Sequence, residues 1–600
     1  MGRTRRALRP RRCDREPRVL RVPQDALVNL LPQPRSIEVG VGSVPIREPE
    51  VRRDRSLDAE GYELVVAGDE ITLSAADEAG EFYGRATLAQ LARQPGGVPV
   101  CTIRDWPDLP VRGVMLDVSR DKVPTLVTLK DLIARLASWK INQVQLYLEH
   151  TFAYEGHDEV WRDASPFTAD EIRELDAWCR EHFVELVPNQ NCLGHMGRWL
   201  RHDRYRPLAI TPDGFTDFMG RQRGPMTLEP SNPGSLALVR DLLAQLLPCF
   251  TSSRVHVGLD EPWELPDERI GDYLDWVETL CAVPELDGRQ ILVWGDIVSG
   301  RADRLTRIPE HVTVCEWGYE DWTPFEEKAA IYSETDTKFW NCPGTSSWTT
   351  ILGRTTNMKG DCVAAAEALL GHGGTGFLNT DWGDQGHLQY LPISEPGFAY
   401  GAAVSWCLET NRDVDLAAAL DAHAFADEVG ALGAVLLDLG DVYLSTEVQV
   451  PNMSALVLPL YFPQLEIGPE KKQLNFTDDE LSRAESALAD ASERLDDARS
   501  RRMDDVLVRE ELRNSIALMQ LLCRDGHARL ATDGSLGSIP ESTRRAFATE
   551  LNDIIGAHRE LWLARNRPGG LEDSVSWLAH LRNCYETGVT PPDWGAHDVG

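Results

Sequence analysis

Two adjacent carboxylates, Asp260 and Glu261, have the residue types and spacing needed for acid–base chemistry. They follow the short apolar run Val255–Gly258. Two carboxyl groups at one site can take different roles, in which one stays ionised and supports a positive centre while the other donates a proton to a leaving oxygen. A structural interpretation is also open, in which Asp260 caps a helix that Pro262 begins.

The elements that must position this pair begin at Val111, where apolar strands start to alternate with amphipathic helical stretches. The predicted strands are Gly113–Val118, Gln143–Leu148, Glu185–Pro188, Val255–Gly258, Ile291–Trp294, Val312–Trp317, Lys338–Asn341 and Gly376–Asn379. The predicted helices between them include Leu126–Trp139, Thr168–His182, Pro233–Leu247 and Cys362–Leu370. This order predicts an α/β fold with a parallel (β/α)₈ TIM barrel that closes near Trp406. An open doubly wound sheet is the alternative, but the first strand is not followed by a glycine-rich phosphate loop.

The carboxyl ends of barrel strands are where functional side chains collect. Here these ends carry many polar and aromatic residues: Asp117, Arg120, Glu149, His150, Asn189, Gln190, Asn191, His195, Asp260, Glu261, Trp294, Asp296, Glu316, Trp317, Tyr319, Thr345, Trp348, Asp381, Trp382 and Asp384. Indole rings pack on the C–H faces of sugars, and sugar hydroxyls need directed donors and acceptors. A single tryptophan is more typical of a core, but the whole set favours a carbohydrate site.

The rest of the chain divides by composition. Residues 1–22 are an arginine-rich tail that we expect to be disordered, and residues 23–107 are predicted to form a small α/β domain. The barrel is assigned to residues 108–411. Residues 412–600 are predicted to form a helical accessory region, in which Thr477 is an N-cap with Glu480 three residues later.

Composition excludes several classes of function. A net charge of −34 argues against a nucleic-acid partner, and no apolar run is long enough to span a membrane. The twelve cysteines form no CxxC pair and no cluster with zinc spacing, so we expect free thiols, no metal and no cofactor. No secretory signal is visible, which predicts a cytoplasmic protein unless the start codon is misassigned. A homodimer is compatible with this interpretation.

An ordered set of motifs resembles the family 20 glycoside hydrolases, the β-N-acetylhexosaminidases. The motifs are RGVMLDVSR (Arg112–Arg120), ELVPNQNCLGH (Glu185–His195), HVGLDE (His256–Glu261), VWGDI (Val293–Ile297) and the segment Trp382–Asp384. Gly61–Leu91 is similar to the small zincin-like domain that precedes the barrel in that family. The resemblance covers about residues 23–410.

The resemblance implies a retaining exo-β-N-acetylhexosaminidase that removes terminal β-linked GlcNAc or GalNAc. In this mechanism the 2-acetamido oxygen of the substrate attacks C1 and forms an oxazolinium ion, so the enzyme supplies no nucleophile. Asp260 would orient the acetamide and stabilise the positive charge. Glu261 would first protonate the glycosidic oxygen and then deprotonate water.

The same resemblance implies substrate contacts. Arg120 matches the arginine that holds the 3- and 4-hydroxyls, and Asp384 would bind the 4- and 6-hydroxyls. His195 resembles a histidine beside the acid/base residue, with a core histidine as the alternative. The other predicted substrate-binding residues are Glu149, Asn191, Trp294, Trp317, Tyr319, Trp348 and Trp382.

Several positions depart from the family pattern and indicate a divergent subgroup. Asp121 stands where a histidine usually follows the arginine, and Asn191 stands where many members have an acid. Glu149–His150 replaces an Asp-rich segment. The stretch Asn341–Trp348 lacks the tyrosine that usually holds the acetamide oxygen, and Tyr319 is a candidate substitute. These departures affect the expected substrate preference more than the reaction class.

Two other functions remain open at this stage. One is a retaining glycosidase for sugars without an acetamide, with Glu316 as the nucleophile. The other is a carbohydrate-binding barrel without catalysis, which the presence of both Asp260 and Glu261 argues against. A lacto-N-biosidase, which releases a disaccharide, would need a roomier subsite.

Overall fold

A five-stranded sheet precedes the barrel in the computed structural model, which describes residues 29–93, 96–217, 220–472 and 474–591. The predicted tail over residues 1–22 lies outside the described residues. In chain order the strands are Ser36–Val44, Glu50–Arg53, Tyr62–Ala67, Glu70–Ala75 and Val98–Asp105. The helix Glu78–Leu91 begins at the N-cap Asp77, whose side chain accepts a hydrogen bond from the Gly80 N–H. It packs mainly on the strands Tyr62–Ala67 and Glu70–Ala75.

Eight parallel strands form a closed barrel in the order of the sequence. From the first to the eighth they are Val111–Asp117, Gln143–Leu148, Glu185–Gln190, Arg254–His256, Gln290–Trp294, Val312–Trp317, Phe339–Cys342 and Gly376–Asp381. The eighth strand pairs with the first from Gly376–Val111 to Asp381–Leu116. This pairing confirms the predicted barrel and shows that the alternative of an open sheet is wrong.

Helices surround the barrel, and those predicted from their periodicity are present. The longer ones are Leu126–Ser138, Ala169–Glu181, Pro233–Leu246, Ile270–Cys281, Phe325–Glu334, Thr355–His372 and Leu391–Trp406. The helix predicted from Cys362 starts earlier, at Thr355, because the buried face continues through Asn357, Met358 and Asp361. Shorter helices Asp158–Trp161, Gly197–Leu200 and Ala302–Leu305 lie in the loops.

A buried ion pair joins the small sheet to the barrel. Lys140 Nζ lies 2.7 Å from Asp105 Oδ2, and both side chains are almost fully buried. Tyr62 donates a hydrogen bond to the same Asp105 oxygen at 2.8 Å. A buried charge is stable only with a partner, so this contact fixes how the two parts meet.

The C-terminal part is helical, as predicted. After the short helix Leu408–Asn411, its helices are Leu416–Ala419, Leu432–Gly440, Leu458–Tyr461, Asp478–Asp497, Asp505–Leu530, Glu541–Arg565 and Leu571–Thr587. Thr477 and Glu480 form the predicted capping box. One hydrophobic cluster runs from the helices around the barrel into these helices, so the two regions share a core.

Candidate active site

The fourth strand ends in a turn that brings Asp260 and Glu261 to the barrel mouth. Gly258, Leu259 and Glu261 all have positive φ, at 72°, 77° and 46°. Only glycine fits at position 258, because a Cβ there would lie 2.5 Å from the Asn191 side chain. The next helical residues after the pair are Asp267–Arg269, so the interpretation of Asp260 as the cap of a helix begun by Pro262 is wrong.

Asp260 is buried, with 6% of its surface exposed, and both of its carboxylate oxygens have partners. Oδ1 accepts a hydrogen bond from Asn191 Nδ2 at 2.6 Å, and Oδ2 lies 3.2 Å from His195 Nε2. Burial alone would raise the pKa of Asp260, but the positive charges of His195 and Arg120 outweigh it and lower the pKa. Asp260 is therefore an anion held in the barrel mouth.

His195 joins Asp260 to Glu261. Its Nε2 lies 3.2 Å from Asp260 Oδ2 and 3.4 Å from Glu261 Oε2. Burial alone would lower the pKa of this imidazole, but the two carboxylates raise it well above its usual range. His195 thus lies beside Glu261, the predicted acid/base residue, and its side chain is buried; its role stays a prediction.

Glu261 is the more open of the two carboxylates, with its side chain 32% exposed. Its backbone N–H donates to Asp296 Oδ2 at 3.0 Å. Burial and the nearby charge of Asp260 raise the pKa of Asp296 to about 8. Asp296 is thus a neutral acid at pH 7 that supports the strained backbone of Glu261. We call Asn191, His195, Asp260, Glu261 and Asp296 the charge centre.

Arg120 defines a second part of the mouth. Its guanidinium lies 3.2 Å from Asp117 Oδ2, 3.6 Å from Glu149 Oε1 and 3.8 Å from Asp384 Oδ1. Its Nε is buried and makes no hydrogen bond, which leaves a donor for a sugar hydroxyl. Burial raises the pKa of Asp384 to about 6, and the charge of Arg120 opposes this rise. We call Arg120, Glu149 and Asp384 the hydroxyl end.

Aromatic rings line the space between these two parts. Trp382 lies 5.8 Å from Trp294 between ring centroids, and its Nε1 donates to the Tyr319 hydroxyl at 2.8 Å. Tyr319 stacks on Trp317 at 5.3 Å with an interplanar angle of 13°. Trp294 and Trp348 are fully buried and pack against Trp382 and Tyr319, respectively. The predicted aromatic residues are therefore brought together, with Trp317, Tyr319 and Trp382 nearest to the surface.

Tyr147, Asp117 and Asp296 also belong to the site but are missing from the predicted substrate-binding set. The Tyr147 ring lies 5.0 Å below the Arg120 guanidinium, and its hydroxyl donates to Glu149 Oε1 at 3.0 Å. Asp117 accepts hydrogen bonds from the N–H groups of Arg120 and Gly383, at 3.1 and 3.0 Å. The alternation of side chains along the second strand, which turns Tyr147 and Glu149 to the same face, could have found the tyrosine.

Glu316 does not have the geometry of a nucleophile. It is buried, Lys328 Nζ donates to its Oε1 at 2.5 Å, and the Tyr332 hydroxyl donates to its Oε2. Both partners lie on the helix Phe325–Glu334, outside the barrel. The alternative that assigns the nucleophile to Glu316 is therefore wrong.

Metal ligands and membrane-spanning helices would indicate other classes of function. In the described ranges no group of three His, Cys, Asp or Glu side chains could hold a metal ion. No helix among the described residues is long and apolar enough to cross a membrane.

Comparisons with known proteins agree with this geometry. The family model described as "Glycosyl hydrolase family 20, domain 2" matches residues 45–106, and the one described as "Glycosyl hydrolase family 20, catalytic domain" matches residues 109–339. The chain belongs to glycosyl hydrolase family 20. The predicted family is thereby confirmed.

Several family 20 relatives are similar to the chain over part of their length. A beta-hexosaminidase of Akkermansia muciniphila is 28% identical over 236 residues, which cover 35% of this chain and 47% of the relative. A beta-hexosaminidase of Vibrio furnissii is 28% identical over 250 residues, which cover 35% of this chain and 39% of the relative. The chain thus spans less than half the length of these two relatives.

Solved family 20 structures share the fold. The β-N-acetylhexosaminidase from Streptomyces coelicolor A3(2) superposes with a TM-score of 0.53 at 20% sequence identity, covering 66% of this chain and 95% of that one. At this identity the likeness shows the fold.

Proposed function

We propose that this chain is a retaining exo-β-N-acetylhexosaminidase that hydrolyses terminal β-linked GlcNAc or GalNAc with help from the acetamide of the substrate. The observation that carries the proposal is the charge centre. A buried anion, Asp260, and an open carboxyl group, Glu261, both lie within 3.4 Å of His195 Nε2. Membership of family 20 supports the same reaction class.

Asp260 can act on the acetamide without being freed from its partners. A carboxylate has about four lone-pair sites; Asn191 Nδ2 occupies one of them, and His195 Nε2 lies 3.2 Å from the other oxygen as an ion-pair partner. A third site can accept the acetamide N–H, which turns the acetamide oxygen toward C1. The negative charge then stabilises the oxazolinium ion as it forms, in a place from which water is largely excluded.

Glu261 moves the protons. Its proton goes to the glycosidic oxygen as the C1–O bond breaks and the bond from C1 to the acetamide oxygen forms. Water then adds to C1, Glu261 takes the proton from that water, and the ring opens to regenerate the acetamide. C1 is inverted twice, so its configuration is retained. The exposure of the Glu261 side chain suits this role, since both the leaving group and the water must reach it.

The hydroxyl end would hold the rest of the sugar. Arg120 and Asp384 present a donor and an acceptor 3.8 Å apart, and Trp382 lies beside both. This pairing suits vicinal hydroxyls on a pyranose ring. Tyr319 would hold the acetamide oxygen.

The homodimer and the cytoplasmic location stay predictions, and so do the domain limits at residues 23–107, 108–411 and 412–600.

Parallel turnover of 4-nitrophenyl β-GlcNAc, β-GalNAc and β-glucoside tests the proposal, with and without a thiazoline that mimics the oxazolinium ion. We expect release from the acetamido sugars alone, and we expect the thiazoline to block it. Cleavage of the glucoside, or activity that ignores the thiazoline, would refute the mechanism.

A further inference from the structure

The connection between the last two helices covers the loop that carries Arg120. The Thr125 N–H donates to Arg565 O at 2.9 Å, and the Arg567 N–H donates to Val123 O at 2.8 Å. Gly570 has a φ of 75°, and a Cβ there would lie 2.0 Å from Asp121 O. No larger residue fits this contact, so the C-terminal region touches the residue next to Arg120.

A chain of charges extends this contact. Arg198 lies 3.0 Å from Asp121 Oδ1 and 3.2 Å from Asp573 Oδ2 on the helix Leu571–Thr587. Asp121 has a φ of 65°, a conformation that a residue other than glycine adopts only when its surroundings hold it. Asp121 is also a position where the sequence departs from the family pattern. The residue that departs from the family pattern is therefore also one through which the C-terminal helices contact the barrel loop.

The same helix supports the loop that carries Asp384. Trp577 packs so closely on Gly386 that an added Cβ would lie 2.5 Å from the indole Cδ1. Gln385, Gly386 and His387 have φ values of 57°, 88° and 47°, so three consecutive residues are left-handed. Trp577 is itself buried against Tyr461, with ring centroids 5.5 Å apart. The Trp577 indole thus helps to hold this loop in a backbone conformation that residues other than glycine rarely adopt.

Asp573 and Trp577 make two separate contacts with the barrel loops, because the helix Leu571–Thr587 does not pack continuously on the barrel here. A polar cavity of about 420 Å³ lies between them and the barrel loops, lined also by Asp121, His150 and Arg198. Across this cavity, Asp573 contacts the barrel loops through Arg198 and Trp577 contacts them through Gly386.

We propose that Asp573 and Trp577 are positioning residues of the sugar site, which fix Arg120 and Asp384 against the 4-hydroxyl of the terminal sugar. The proposal rests on the function proposed above, and the family resemblance implies a contact of both residues with the 4-hydroxyl. It gives the C-terminal helical region a part in substrate recognition. Loss of either contact should therefore weaken recognition of that hydroxyl and leave the chemistry at C1 intact.

Paired substrates separate this role from a structural one. We would compare kcat/KM for 4-nitrophenyl β-GlcNAc and its 4-deoxy analogue, which lacks the hydroxyl in question. In Trp577→Ala we expect a loss of about fivefold on the parent substrate, chiefly through KM, and a loss below about twofold on the analogue. Asp573→Asn should show the same pattern with a smaller loss, because its carboxylate is more than half exposed.

Glu572→Gln is the matched control, since Glu572 neighbours Asp573 but pairs with Arg559 inside the helical region, at 2.8 Å. It should leave both substrates unchanged. Equal losses on the two substrates in Trp577→Ala, or no loss, would overturn the proposal. If Trp577→Ala does not fold, Trp577→Phe and Asp573→Asn carry the same test.

The two proposals can fail separately. If the wild-type protein hydrolyses neither substrate, the proposed function is wrong. Calorimetric binding of GlcNAc and 4-deoxy-GlcNAc to the same variants then replaces kcat/KM. A selective loss of GlcNAc binding supports the positioning role, and an equal loss for both sugars overturns it.

Discussion

The charge centre and the hydroxyl end share one barrel mouth but depend on different parts of the chain. Asn191, His195, Asp260, Glu261 and Asp296 all follow the third, fourth and fifth strands and hold one another by direct contacts. Arg120 and Asp384 follow the first and eighth strands, and their loops rest on the C-terminal helices. The difference suggests that the reaction is a property of the barrel, while recognition of the sugar is shared with the helical region.

The largest effect should come from Glu261→Gln, which removes the proposed proton donor from the charge centre. We expect kcat to fall roughly 10²–10⁴-fold with little change in KM. The loss should be greater for chitobiose than for the nitrophenyl glycoside, because nitrophenolate leaves with less protonation. Steady-state kinetics on both substrates measure this, with Glu285→Gln as a surface control. Near-normal turnover of chitobiose would contradict the role of Glu261.

Asp260→Asn should have the next largest effect. In the proposed mechanism its charge matters most when the oxazolinium ion forms, so kcat should fall roughly 10²–10³-fold and KM should change far less. Removing the anion also removes the partner that raises the pKa of His195. NMR titration of His195 should therefore show a lower pKa in the variant. A large rise in KM with kcat preserved would instead make Asp260 a simple binding residue.

Tyr319→Phe tests the aromatic residues that lie between the charge centre and the hydroxyl end. If the hydroxyl holds the acetamide oxygen, its loss removes that hydrogen bond, worth ~1 kcal/mol or about fivefold in kcat/KM, and also takes the acceptor of the Trp382 indole N–H. The stack on Trp317 is kept, so the fold should not change. The thiazoline should bind more weakly by a similar factor. If the thiazoline inhibited the variant as strongly as the wild type, Tyr319 would not be the residue that holds the acetamide oxygen.

Asp296→Asn should give the smallest change, and only at alkaline pH. The raised pKa of about 8 means that Asp296 gains a charge beside Asp260 and Glu261 as the pH rises through that value. Wild-type activity should therefore fall above about pH 8, and the variant should hold its activity to higher pH because asparagine still accepts the Glu261 N–H. The folded protein should likewise lose stability as the pH rises toward 8, since the unfolded chain releases this proton near 3.8. Identical pH profiles for the two proteins would remove Asp296 from the charge centre.

Much of the barrel could be predicted because each strand is a short apolar run followed by a polar end. Gln143–Leu148 and Val312–Trp317 have the predicted bounds. The positions of Asp260 and Glu261 followed from the motif, but the left-handed turn that aims them depends on Asn191, which lies far away in the sequence. The part played by the C-terminal helices could not be predicted at all. Trp577 and Gly386 are distant in sequence, and only the fold brings them into contact.

In the proposed mechanism the acetamide of the substrate is the nucleophile, and a series of nitrophenyl glycosides tests this. The N-acetyl group would carry zero, one, two or three fluorine atoms, which withdraw electrons from the acetamide oxygen without changing the leaving group. Participation predicts that kcat/KM falls steeply and steadily with each fluorine. A flat series would contradict the account, because a nucleophile from the enzyme would not sense the acyl group.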